Sequence, residues 1–112
     1  MFSHERLDVY RLAVEFLALV VELLDSVPRG NAAVCDQFRR AALSIPLNIA
    51  EGAGRIGVAD QARFYATARG SSLECAAILD ALRVMQLADQ DRVDTGKAVL
   101  ARIAAMLTKM CR

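Results

Sequence analysis

Between residues 7 and 26 the polar positions Asp8, Arg11, Glu15, Glu22 and Asp25, with Ala18 completing the row, follow steps of three and four. That spacing traces one narrow stripe along a helix from about Leu7 to Ser26. The remaining positions, Val9, Tyr10, Leu12, Val14, Phe16, Leu17, Leu19, Val20, Val21, Leu23 and Leu24, are apolar. A helix with so little polar circumference buries more than one face. One face packs inside the protomer, and the other needs a partner, most simply a second copy of the chain.

Pro28, Arg29, Gly30 and Asn31 form a breaker cluster and predict a loop. A second helix follows from about Ala32 to Ala53. Pro46 lies in its middle, removes the amide that would reach the Ala42 carbonyl, and predicts a kink near Ala42–Pro46, not a stop. Gly52, Gly54 and Gly57 suit a C-terminal cap and turn. A third helix is expected from about Val58 to Leu87, with Phe64, Ala68, Ser71, Cys75, Ile78, Leu79 and Leu82 on its apolar face. Asp89–Asp91 supply N-cap candidates for a fourth helix, Arg92 to Met110, whose apolar set is Val99, Leu100, Ile103, Ala104, Met106, Leu107 and Met110. Gly96 weakens its first turns. Short connections make neighbouring helices antiparallel, so the expected fold is all-α: an antiparallel up-down four-helix bundle, a single domain over residues 1–112.

Composition sharpens this picture. Apolar residues make up 55% of the 112-residue chain and aromatics 5%, so the core is aliphatic. The net charge is +1 and gives little overall drive toward nucleic acid or membrane. It is unevenly spread: residues 1–28 are acidic, while residues 29–69 hold six Arg and three acids. Cys35, Cys75 and Cys111 are odd in number and lack CxxC spacing, and His4 is the lone histidine. No disulfide framework, metal site or cofactor is therefore expected. Reduced thiols, and an opening Phe2-Ser3-His4-Glu5-Arg6 without the layout of a signal peptide, suit a soluble cytoplasmic protein with no membrane span.

The second helix is the most informative segment. At roughly 100° per residue, Gln37, Arg40, Ser44, Asn48 and Glu51 line one side. Val34, Phe38, Ala41, Ile45, Ile49 and Gly52 line a second, and Leu43, Leu47 and Ala50 a third. The polar row thus lies between two apolar faces, and buried polar groups need partners. The third helix offers Arg63, Thr67, Gly70 and Glu74, with Ser71 and Ser72 beside them. The expected result is a hydrogen-bonded seam through Arg40, Ser44, Asn48, Glu51, Ser71 and Glu74, with Arg63 or Arg40 neutralising a carboxylate. The small Gly70 would allow close backbone approach. Leu43, Leu47 and Ala50 are left as a candidate oligomer interface.

Catalysis is not expected. Glu51 and Glu74 are the one pair of carboxylates that acid–base chemistry or a small ligand could use, but there is no nucleophile–base pair or Walker pattern, and the glycine-rich Gly52-Ala53-Gly54-Arg55-Ile56-Gly57 follows a helix, not a strand, and reads as a helix cap. The arginines admit two functions: solvated rims with structural ion pairs, or a phosphate-binding rim repeated by symmetry. Stacking aromatics are few, and Phe64 is expected in the core, which leaves backbone contacts to RNA or DNA as the form nucleic-acid binding would take.

The run Gln37-x-Arg39-Arg40-Ala41-Ala42-x-Ser44-Ile45-Pro46-x-Asn48-Ile49-Ala50-Glu51-Gly52 resembles the signature of the four-helix-bundle family named for 23S rRNA intervening-sequence proteins. Arg63-Phe64 with Ala68-Arg69-Gly70-Ser71-Ser72-Leu73-Glu74 resembles its second block, and Leu7-Asp8-Val9-Tyr10-x-Leu12-Ala13 its opening. The resemblance implies an up-down bundle assembled as a ring-like homopentamer. It also implies a relation to the accessory protein of diversity-generating retroelements, which is basic, binds nucleic acid and partners a reverse transcriptase. This chain departs from that relative in being nearly neutral with an acidic first helix. Arg39, Arg40, Arg55, Arg63 and Arg69 are the positions to which nucleic-acid binding would map. Two functions are therefore expected: a non-enzymatic homo-oligomeric scaffold or accessory factor associated with nucleic acid, or a structural or protein-interaction module without it.

Overall fold

A computed structural model describes residues 2–112. A short 3-10 turn, Ser3–Arg6, leads into four helices: α1 (Asp8–Asp25), α2 (Ala32–Ala53), α3 (Val58–Val84) and α4 (Gln90–Met110). No strand occurs among the described residues, and none of their helices is long and apolar enough to cross a membrane. α1 contacts α2 and α4, and α3 contacts the same two. The helices therefore form a closed ring of neighbours in a body 44 Å long and 21 Å across, a packing compatible with a four-helix bundle.

Local chemistry sets the helix ends. α1 stops where Ser26 Oγ donates to the Leu23 carbonyl at 2.6 Å and Pro28 follows. Gly30 turns the chain with φ +98°, and Asn31 Nδ2 donates to the Pro28 carbonyl at 2.9 Å. α2 runs through Pro46 without interruption. Its glycines differ in role from a simple cap. Gly52 lies inside the helix, Gly54 caps it in right-handed geometry, and Gly57 is the extended N-cap of α3.

α3 ends three residues earlier than the periodicity suggests. Leu87 N–H donates to the Leu82 carbonyl and Gln86 N–H to the Arg83 carbonyl, with Gln86 left-handed at φ +62°. Asp89 then accepts the Arg92 N–H at 2.8 Å, so α4 begins at Gln90.

The core is one continuous, mainly aliphatic cluster. Phe16, Phe38, Ile45, Ile49, Leu79, Leu82, Ile103 and Leu107 are fully buried, each stabilising the fold by roughly 1.5–3 kcal/mol. Phe16 and Phe38 meet edge-on, with centroids 6.2 Å apart, and join α1 to α2.

On α3 the buried row is Tyr65, Ala68, Ser72, Cys75, Ile78, Leu79 and Leu82. Tyr65 and Ser72 thus take the inner places expected for Phe64 and Ser71, a shift of one residue in helical phase. Gly52 explains it, because a Cβ there would stand 2.8 Å from Tyr65 Cε1. The ring fills the space a side chain would have used. Ser72 satisfies its buried hydroxyl by donating to the Ala68 carbonyl at 3.0 Å.

Candidate functional site

Three surfaces contain the residues singled out by the sequence. The first is the contact of α2 with α3. Gln37 Nε2 donates to Glu74 Oε2 at 2.6 Å, and the Ser44 and Ser71 hydroxyls lie 2.8 Å apart. Asn48 Nδ2 donates to the Ser44 carbonyl at 2.8 Å and to its hydroxyl at 3.0 Å. Ser44, Asn48, Ser71 and Glu74 therefore share one polar line, with Gln37 as a member that the sequence placed in the row without giving it a partner.

Glu51 is not in that line. It pairs with Arg55 on its own helix at 3.0 Å. Arg63 neutralises Asp60 at 2.7 Å, not a carboxylate of the seam, and Arg40 is exposed. Gly70 is also exposed with nothing within 4 Å of a built Cβ, so no backbone approaches it within the protomer. Glu51 and Glu74 do not form a pair either. Glu74 meets Gln37, fourteen residues from Glu51 along α2, a rise of roughly 20 Å. Cys75, beside Glu74, is fully buried. Burial, reinforced by the Glu74 charge, pushes its thiol up to about 12, so it offers no thiolate at neutral pH.

The second surface contains the arginines. Arg55 and Arg63 both stack on the Phe64 ring, 4.7 and 4.6 Å from its centroid. Phe64 is thus half-buried under two guanidinium groups, not in the core. Asp60 reaches both arginines, and Arg39 pairs with Asp36 at 3.2 Å. Arg69 points inward: its Nε donates to Thr108 Oγ1 at 2.7 Å and ties α3 to α4. The sequence places these arginines in one segment; in the fold Arg55 and Arg63 share Asp60 and Phe64, while Arg39 pairs with Asp36 and Arg69 with Thr108.

The third surface is apolar. Leu19, Glu22 and Leu23 share a cleft with Asp91, Arg92 and Thr95, so that edge of α1 faces α4. Tyr10, Val14, Leu17 and Val21 fall on the other edge, toward α2. On α2, Gln37, Ser44 and Asn48 face α3, so Leu43 and Ala50 fall on the edge toward α1, with Leu47 on the outward surface. Val14 is 42% exposed, Val21 51%, Leu43 45% and Leu47 58%. These are the side chains that the periodicity of α1 and α2 leaves without cover, and the protomer does not shelter them.

Compared with known families, the chain matches the model described as 23S rRNA-intervening sequence protein over residues 5–109. None of the curated proteins compared with it matches.

Proposed function

We propose that this chain, which belongs to the 23S rRNA-intervening sequence protein family, is a non-enzymatic homo-oligomeric scaffold or accessory factor. Its copies meet on the α1–α2 face. The observation that carries this function is the exposed apolar strip of Val14, Val21, Leu43 and Leu47. Exposed apolar side chains gathered on two neighbouring helices support an association site. In a closed ring the contacts are heterologous, so this face would meet a different surface of the neighbouring copy. Five copies is the number the family resemblance implies.

Inside the protomer the corresponding order is antiparallel up-down, with a bend at Pro46. Contacts between α2 and α3 support the order: Gln37 with Glu74, Ser44 with Ser71, and Gly52 against Tyr65 run in opposite senses along the two helices. The missing Pro46 donor supports the bend.

Light scattering on the eluting protein tests the assembly. A pentamer gives about 61 kDa, five times the 12.2 kDa chain. Leu43→Glu with Leu47→Glu should return it to 12.2 kDa with its helical circular dichroism intact. A wild-type chain that elutes as a monomer at micromolar concentration would refute the assembly.

Nucleic acid, RNA or DNA held through its backbone, would use Arg39, Arg40, Arg55 and Arg63 repeated around the ring. The second function, a cytoplasmic protein-interaction module without nucleic acid, is favoured by a specific feature: Arg39, Arg55 and Arg63 already face Asp36, Glu51 and Asp60. A filter-binding titration separates the two. Binding that weakens steeply with salt supports the first, and no binding at low salt supports the second. A reverse transcriptase partner rests on family analogy, and a reverse-transcriptase gene beside this one is the observation that would support it.

A further inference from the structure

α3 has a second apolar side. Ala66, Gly70, Leu73, Ala77, Ala81 and Val84 follow steps of four and three along it, and all six are exposed. They stand roughly opposite the buried Ala68, Cys75 and Leu82, so this is the face that α3 turns away from the bundle. Leu73 is 50% exposed and Val84 72%. No charge interrupts the row. The nearest charges, Arg63 and Asp80, stand at its edges and are already paired with Asp60 and Lys97. A helix that is apolar on two opposite sides is normally covered on both, and within the protomer nothing covers this one.

The α2–α3 contact fixes how this face stands relative to Leu43 and Leu47. The Ser44 and Ser71 hydroxyls lie 2.8 Å apart, so those two residues share a height along the bundle. Leu43 stands about 1.5 Å from that height and Leu73 about 3 Å, given a rise of about 1.5 Å per residue. Both lie on the same side of it, because Gln37 with Glu74 and Ser44 with Ser71 run in opposite senses along the two helices. Rotation about an axis parallel to the helices leaves every residue at its own height. In a ring built round such an axis, Leu43 of one copy comes level with Leu73 of the next.

Charge follows the same register. Arg40 stands beside Leu43 and Leu47 on the side of α2 nearer α3, and Glu74 stands beside the α3 row on the side nearer α2. Arg40 has no ion-pair partner among the described residues, and Glu74 meets the neutral Gln37. Arg40 lies between Gln37 and Ser44 in the chain, hence at a height between those of Glu74 and Ser71. A head-to-tail contact brings together the two edges nearer the α2–α3 seam, which sets an unpaired cation against an anion.

We propose that the outer face of α3 is the surface on which the Leu43–Leu47 side of the neighbouring copy docks, with Arg40 of one copy bridging to Glu74 of the next. This rests on the homo-oligomeric function above and supplies the second, unlike surface that a closed ring needs. Leu43 packs beside Leu73, and the small side chains around Leu73 let the two helices approach closely. Paired in this way, Arg40 joins Arg39, Arg55 and Arg63 among the arginines whose charge is already met.

The test is cross-linking between copies. Leu43→Cys and Leu73→Cys are made separately on a Cys111→Ser background, where the remaining Cys35 and Cys75 are buried. The two variants are co-expressed and treated with a short bis-maleimide. The co-expressed pair should give a covalent dimer of about 24 kDa, twice the 12.2 kDa chain, and each variant by itself should give none. A dimer from either variant by itself marks a like-to-like contact. No dimer from the pair, while the wild type still elutes as an oligomer, marks a different surface. Either result overturns the docking and leaves the assembly standing, whereas a monomeric wild type overturns both. Arg40→Glu and Glu74→Arg should each raise the protomer concentration at half-assembly about tenfold, and together they should restore it. A combined variant that assembles no better than either single one overturns the bridge.

Discussion

Gly52 and Gly70 provide a matched pair in which the same substitution should act with opposite sign. Both lie inside helices, where glycine to alanine gains about 1 kcal/mol from backbone entropy. At Gly70 a new methyl meets nothing within 4 Å. Gly70→Ala should therefore stabilise the protein by roughly 0.5–1 kcal/mol. At Gly52 the methyl would stand 2.8 Å and 3.0 Å from two Tyr65 ring carbons and 3.1 Å from Phe64 Cβ. Tyr65 is buried and its ring is rigid, so the ring and the α2–α3 spacing must shift. Overpacking of this kind costs about 1–3 kcal/mol. Set against the same backbone gain, Gly52→Ala should lie between neutral and roughly 2 kcal/mol destabilised. Urea unfolding followed by far-UV circular dichroism reads both. The two variants must be compared at equal protomer concentration, because self-association adds to apparent stability. The two effects differ by about 0.5–3 kcal/mol, so with a slope of about 1–3 kcal/mol per molar the midpoints should differ by roughly 0.2–3 M. If the variants shift together in sign and size, Tyr65 is not packed on Gly52, and the assignment of Tyr65 to the core fails with it.

Gln86→Gly should stabilise by about 0.5–1 kcal/mol, since Gln86 holds a left-handed φ of +62° at the α3 C-terminus where glycine avoids the side-chain penalty; thermal unfolding checks it. Asp89→Ala removes the acceptor for the Arg92 N–H and should cost about 1 kcal/mol, with fraying of the first turn of α4 visible in amide exchange. Cys75 should resist DTNB in the folded protein at pH 8 and react only on unfolding, whereas the half-buried Cys111 reacts readily; counting released thiolate distinguishes them. The same thiol gives a pH effect of defined sign. The unfolded thiol ionises near its ordinary 9.0, but the folded one stays protonated up to about 12, so stability is fully present below pH 9 and declines as pH rises toward 12.

Much of the fold was legible along the chain because helices are local objects. Hydrogen bonds four residues apart, breakers such as Pro28 and Gly30, and steps of three and four in the apolar pattern suffice to place α1, α2, α3 and α4. The bounds of α2 followed to the residue. The end of α3 did not, because the termination at Gln86 depends on a left-handed residue that carries no glycine signal. Periodicity likewise put Ser44, Asn48, Ser71 and Glu74 near one another, but it also placed Arg40 and Glu51 in that line, which the structure does not, and it grouped the half-buried Ala50 with the exposed Leu43 and Leu47.

Tertiary structure decided the matters that turn on rotation about a helix axis and on neighbours. One residue is about 100° of rotation, so choosing Tyr65 over Phe64 for the core required knowing that Gly52 lay opposite. Where each arginine reaches was equally hidden. Arg69 finds Thr108 across the fold, and Arg55 and Arg63 share Asp60 and the face of Phe64. A long charged side chain is free to select among partners that folding brings near, and linear spacing does not encode that choice. Periodicity records which positions avoid water, and only the packed neighbours determine which of them succeed.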